Sequence, residues 1–168
     1  MADAELVVLD RGERIAFTFA DLMSYHGPGS PGGVAHAFKL LERALPLLSE
    51  GPVERREVVV RTAFGGPGAR DAFELVLRAV TEGRYTVDPG LALPARGWTR
   101  ERFVFSLSYR EHAVTLGVRE GFVSEEFLAL ARTPDPSPEQ TARLDGLKRD
   151  MAARVMAAPA DAVYEPLG

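Results

Sequence analysis

Two runs of β-favouring residues, Glu5–Leu9 and Arg14–Phe19, flank the short polar stretch Asp10–Glu13 with its single glycine. That grouping predicts a β-hairpin. Asp21 follows as a cap for a short helical turn through Tyr25, which stops at the stretch His26-Gly-Pro-Gly-Ser-Pro-Gly-Gly33 because no helix interior accommodates it. From Gly33 to Ser49 the apolar positions Val34, Phe38, Leu41, Leu45 and Leu48 recur at three- and four-residue steps, the period of a helix. Ala37, Leu40, Ala44 and Leu47 add a second apolar strip to the same helix.

Val58–Phe64 carries three consecutive β-branched residues and reads as an inner strand. Gly65–Gly68 then opens a second helix with Pro67 at its first position. Its core face is Ala69, Ala72, Phe73, Val76 and Val80, with Glu74 and Arg78 as an exposed pair and Gly83 as the stop. Arg102–Tyr109 and Ala113–Val118 alternate with period two across Arg110–His112, a second hairpin. Ser124 caps a short helix, Pro134–Pro138 is a linker, 138–157 is helical again, and Val163-Tyr164 ends the series as a strand. Strands and helices in this order predict an α+β fold, a mixed sheet with helices packed on it. The whole of 1–168 reads as one domain, its core at about 19–118 and 119–168 a helical extension.

A chain of 168 residues, 46% hydrophobic and 26% charged, has enough apolar material for a core and is not a disordered chain. The net charge of -4 argues against nucleic acid as a partner, since counterion release needs a basic face. There is no cysteine, which removes disulfides, thiolate nucleophiles and cysteine-ligated metal sites together. No basic segment precedes an apolar one at the N-terminus, and Leu22–Phe38, the longest run without charge, is broken by glycine and proline. A cytoplasmic protein with no membrane contact is expected.

Two segments share one grammar, in which a Gly/Pro-rich loop leads into a helix: Tyr25–Gly33 and Thr62–Asp71. Glycines let a backbone approach a ligand, and helix starts offer unpaired N–H groups and a positive dipole end. Placed side by side, the two loops make a pocket for an anion, a carbonyl or a metal-bound oxygen; packed under the sheet, they are tight turns. Gly27–Gly32 satisfies the spacing of a dinucleotide-binding loop, yet Pro28 and Pro31 crowd it and no parallel βαβ series follows. The candidate ligand-binding residues are His26, Gly27, Ser30, Gly32, Gly68 and Asp71. Ser30, His26 and Asp71 also compose a hydrolytic triad by residue type, though Ser30 lacks the Gly-x-Ser-x-Gly setting of a nucleophile elbow.

His26-Gly-Pro-Gly-Ser-Pro-Gly32 resembles the His-Gly-His-x-Cys-Pro-Gly signature of the FmdE family of formylmethanofuran dehydrogenase components, which likewise precedes a long buried helix. The family's later strand and its helix with a Cys-x-x-Asp-like start are resembled by Val58–Asp71, and its paired strands by Phe103–Val118. His26, Gly27, Pro31, Gly32 and Asp71 match; Pro28, Ser30 and Gly68 stand where the family has His, Cys and Cys. The resemblance spans about 19–118 and implies an α+β domain whose His and Cys residues hold a transition metal. Here the ligands left for a divalent metal are His26, His36 and Asp71, a set that holds it weakly at most.

The expected function is a domain of this family that binds a small ligand, or weakly a metal, at the two loops, serving a small molecule or a redox partner protein. The residues name no reaction. A catalytically silent interaction module and a small hydrolase using His26 and Asp71 are the alternatives. The two apolar strips of the first long helix predict a homodimer.

Overall fold

The computed structural model describes residues 3–168; Met1 and Ala2, the start of the stretch read as lacking a signal peptide, lie outside the described residues. Strands β1 (Glu5–Asp10) and β2 (Glu13–Thr18) form the expected hairpin, antiparallel from Glu5↔Thr18 to Asp10↔Glu13. The two-residue turn puts Arg11 at φ 53° and Gly12 at φ 83°, the paired positive values that match the twist of a tight hairpin. Strand β3 (Val53–Glu54) lies parallel to β1, and the Glu54 carboxylate accepts the Arg11 and Gly12 amides at 3.0 and 2.9 Å. This small sheet has the order β2-β1-β3.

Helix α1 (Phe19–His26) starts two residues before the expected cap. Thr18 is the cap, accepting the Asp21 amide, while the Asp21 carboxylate accepts the Thr18 amide at 2.8 Å, a reciprocal capping box. Helix α2 (Pro31–Leu48) is the central element. Its first residue is a proline, which gives up an N–H that a helix start leaves unpaired in any case. Val34, Ala35, Ala37, Phe38, Leu40, Leu41 and Ala44 are all fully buried.

Strand β4 (Val58–Thr62) does lie inside a sheet, but it alternates: Val58, Val60 and Thr62 are buried while Val59 and Arg61 face outward. One face of the sheet is therefore open, as antiparallel sheets allow. Helix α3 (Pro67–Leu77) begins at Pro67 as expected and stops well short of Gly83. Arg78 turns left-handed at φ 56° and closes the helix with its amide on the Glu74 carbonyl. Val80 consequently sits outside the helix, half-buried. The Glu74 carboxylate holds the loop beyond, accepting the Thr81 amide at 2.9 Å and lying 3.7 Å from Arg78.

Strands β5 (Tyr85–Val87), β6 (Val104–Tyr109) and β7 (His112–Val118) complete most of the second sheet. Helices α4 (Glu125–Ala131) and α5 (Pro138–Ala157) follow, capped by Ser124 and Ser137, and then α6 (Ala160–Val163) and β8 (Tyr164–Pro166). The order is β5-β4-β6-β7-β8, with β4 and β5 parallel and the other pairs antiparallel. The fold is α+β, with two mixed sheets where one is expected.

Core limits of 19–118 are too narrow. Leu6 and Val8 of β1 enter the same buried cluster as Val155, Val163 and Tyr164 from the far end of the chain. Helix α5 is no appendage; it packs along α2. It covers the helix at Gly32, where a Cβ would lie 2.7 Å from the Met151 sulfur. The second strip of α2, from which a homodimer is expected, is thus covered within the chain, with Leu47 alone of its four residues left exposed. Among the described residues no helix is long and apolar enough to cross a membrane.

Candidate functional site

Helix α1 ends at His26 because Gly27, at φ 87°, takes the chain out of helical geometry while its amide closes on the Met23 carbonyl. That termination aims His26 at α3, where its Nδ1 lies 2.8 Å from Asp71 Oδ2. Asp71 is the fifth residue of α3 rather than a member of its first turn, so its carboxylate serves His26 and not the helix end. The His26 side chain is 8% exposed, and its Nε2 is buried without a partner in the protein. Ser30 does not hydrogen-bond that nitrogen, and the triad suggested by residue type is not assembled.

The two Gly/Pro loops meet. A Cβ on Gly68 would fall 2.6 Å from the Ser30 carbonyl oxygen and 2.9 Å from the Val34 amide. One on Gly33 would fall 3.4 Å from the Ala69 amide. Only residues without side chains let the starts of α2 and α3 come this close. Neither start has a side-chain cap: Ser30 precedes α2 and Gly66 precedes α3 without a side-chain hydrogen bond to the helix.

Beside the junction opens a cavity of about 490 Å³. Ser30, Gly32, Gly33 and the run Phe64–Gly68 form one wall. Trp98, Thr99, Arg102 and Phe103 form a second, and side chains of α4, of Arg132 just past its end and of α5, among them Leu144 and Lys148, form a third. Phe64 and Phe103 stack with ring centres 4.4 Å apart. Arg132 lies over Trp98 at 5.5 Å, and the Trp98 indole N–H donates to Glu125 at 3.4 Å, tying the loop before β6 to α4. Lys148 donates to the Gly29 carbonyl at 3.2 Å, tying α5 to the first loop.

Of the expected ligand-binding residues, Ser30, Gly32 and Gly68 line this cavity, whereas His26, Gly27 and Asp71 are not among its lining residues. His36 joins neither group. It is fully buried on α2, with Nε2 3.1 Å from the Phe122 carbonyl and Nδ1 2.9 Å from the Tyr164 hydroxyl. The carbonyl can only accept, so Nε2 carries the proton and Nδ1 accepts from Tyr164. Burial pushes the His36 pKa down to about 4, so the ring is neutral. With both nitrogens engaged, His36 cannot complete a metal site with His26 and Asp71. Among the described residues no group of three or more His, Asp or Glu is placed to hold a metal ion. His26 and Asp71 meet, but His36 is held elsewhere, so the three ligands left for a metal are not brought together.

Trp98, Arg102, Arg132 and Lys148 escape a reading of local pattern. The one usable signal is that the chain's sole tryptophan falls in the Gly/Pro-rich stretch 88–102. Comparison with protein-family models and with curated protein sequences returned no match.

Proposed function

We propose that this chain is a small-molecule-binding α+β domain of the FmdE type, taking its ligand in the cavity beside the two Gly/Pro-rich helix starts. The observation that carries this reading is the cavity itself. Its volume of about 490 Å³ lies within the range of ligand pockets, and its walls are mostly apolar with a few polar groups converging. The elements around the cavity run glycine loop, buried α2, β4, glycine loop, α3 and the β6–β7 pair, and the FmdE reading rests on the resemblance of the sequence alone. No metal step enters, because the remaining ligands do not converge. The His26–Asp71 pair resembles the base and its orienting acid in a hydrolase, but its free nitrogen is buried and His26 is not among the lining residues of this cavity.

The test is a ligand-observed magnetic-resonance screen of aromatic and aliphatic fragments against the native chain and against Ala131→Phe/Leu144→Phe, which fills the cavity from α4 and α5. Binding to the native chain that disappears in the filled variant, with the same melting temperature, is the expected result. Fragments that bind neither protein, or both equally, would leave a silent interaction module as the better account.

A further inference from the structure

The sign of the charge around the cavity is the feature that a neutral ligand leaves unexplained. The chain carries more acid than base, and most of its cations are engaged in ion pairs. Arg102, Arg132 and Lys148 are not. Among the described residues none of the three forms an ion pair, yet all three line this one cavity, and no carboxylate does. Glu125, which touches the site through the Trp98 indole, lies outside the lining. Among the described residues Arg11, Arg14, Arg43, Arg149 and Arg154 also form no ion pair, but none of these lines the cavity.

The fixed dipoles have the same sign. The uncapped starts of α2 and α3 leave the first amides of both helices without side-chain partners, and Gly32, Gly33 and Gly68 are cavity residues. The remaining walls are flat and apolar: the stacked Phe64–Phe103 pair on one side and Trp98 on another. We infer that the ligand is an organic anion with a planar apolar body, its acid group set among Lys148, Arg102 and Arg132 and its body against Trp98, Phe64 and Phe103. The inference rests on the binding reading above and adds the chemical class. An anion neutralises charge that the protein itself leaves without an acid partner; Arg102 and Arg132 are exposed and Lys148 is half-buried, so the attraction reaches through water and is open to screening by salt. The aromatic rings supply contact area that a small inorganic anion does not use.

Four probes of one shape separate the possibilities: naphthoate, naphthyl phosphate, the neutral naphthamide and the cationic naphthylmethylammonium. Trp98 is the only tryptophan, so its indole N–H gives a single cross-peak that reports the cavity directly in proton–nitrogen spectra. Both anions are expected to shift that peak and to bind about tenfold or more tighter than the amide, the size of one charge-assisted hydrogen bond. The ammonium is expected to bind least. Lys148→Met and Arg102→Met are each expected to cost the anions about tenfold and the amide little, and added salt to weaken only the anions. A preference for phosphate over carboxylate, or the reverse, identifies the acid group. Equal binding of amide and anions, abolished in the cavity-filled variant, would overturn the anion inference and leave the pocket standing. No probe moving the Trp98 peak, or binding that survives filling, would overturn both.

Discussion

Gly68 in the first turn of α3 and Ser30 just before α2 touch backbone to backbone: a Cβ on the glycine would lie 2.6 Å from the serine's carbonyl oxygen. Neither atom can move without shifting a helix. Gly68→Ala is therefore expected to destabilise the fold by about 2 kcal/mol, the cost of overpacking outweighing the helix propensity that alanine adds. Gly29→Ala is the control, since a Cβ there meets nothing within 4 Å, and it is expected to be near neutral. Urea unfolding of the two variants measures the difference, and equal midpoints would mean the junction is looser than its geometry.

This junction marks the limit of what the chain reveals by pattern. Both loops read as leading into helices, and Pro67 reads as a first-turn residue, but the first long helix reads from Gly33 whereas α2 already begins at Pro31. The bounds of α5 read correctly, with Pro138 opening it. Where α3 ends is hidden, because a left-handed arginine at 78 carries no compositional mark of the kind glycine would leave. That Arg102, Arg132 and Lys148 share a cavity is hidden more deeply. They come from the loop before β6, from the end of α4 and from α5, and only tertiary packing makes them neighbours. The burial of Tyr164 depends likewise on β8 pairing with β7, a contact too short to show in periodicity.

His36 makes stability depend on acid. Its ordinary pKa of 6.5 falls to about 4 on folding, through burial. Below pH 6.5 the unfolded chain takes up a proton that the folded chain refuses until about pH 4. Stability present above 6.5 is thus lost as the pH falls to 4, by about 3 kcal/mol, with little further loss from this group below. His36→Gln has no proton to take up and is expected to flatten this limb. Unfolding free energies from pH 7 down to 4 for both proteins give the comparison, and parallel curves would sink the assignment.

The His26–Asp71 contact is expected to matter for stability and not for binding. Asp71→Ala leaves a ring whose side chain is 8% exposed with neither nitrogen paired, a loss of about 1–2 kcal/mol after allowing for the partly exposed carboxylate. Asp71→Asn keeps an acceptor and is expected to lose less. Naphthoate affinity is expected to be unchanged in both, because the pair lies outside the cavity lining. A large drop in affinity without unfolding would return His26 and Asp71 to the binding machinery.

Arg55 offers the sharpest test of geometry over charge. It is 7% exposed, and its guanidinium spans three acceptors: the Leu75 and Val76 carbonyls near the end of α3, and Asp10 of β1 at 3.2 Å. One planar fork thus closes a helix end and ties it to the small sheet. Arg55→Met leaves two helix carbonyls unpaired, while Asp10 keeps Arg56 at 3.2 Å as a partner. The expected loss is about 2–3 kcal/mol, below that of a buried pair broken with no second partner. Arg55→Lys keeps the charge but presents a single ammonium that cannot match the fork, so it is expected to recover less than half of the loss. Thermal and urea unfolding of the two variants decide the matter. Full recovery by lysine would show that Arg55 acts as a charge beside Asp10, and that the end of α3 needs no cap from it.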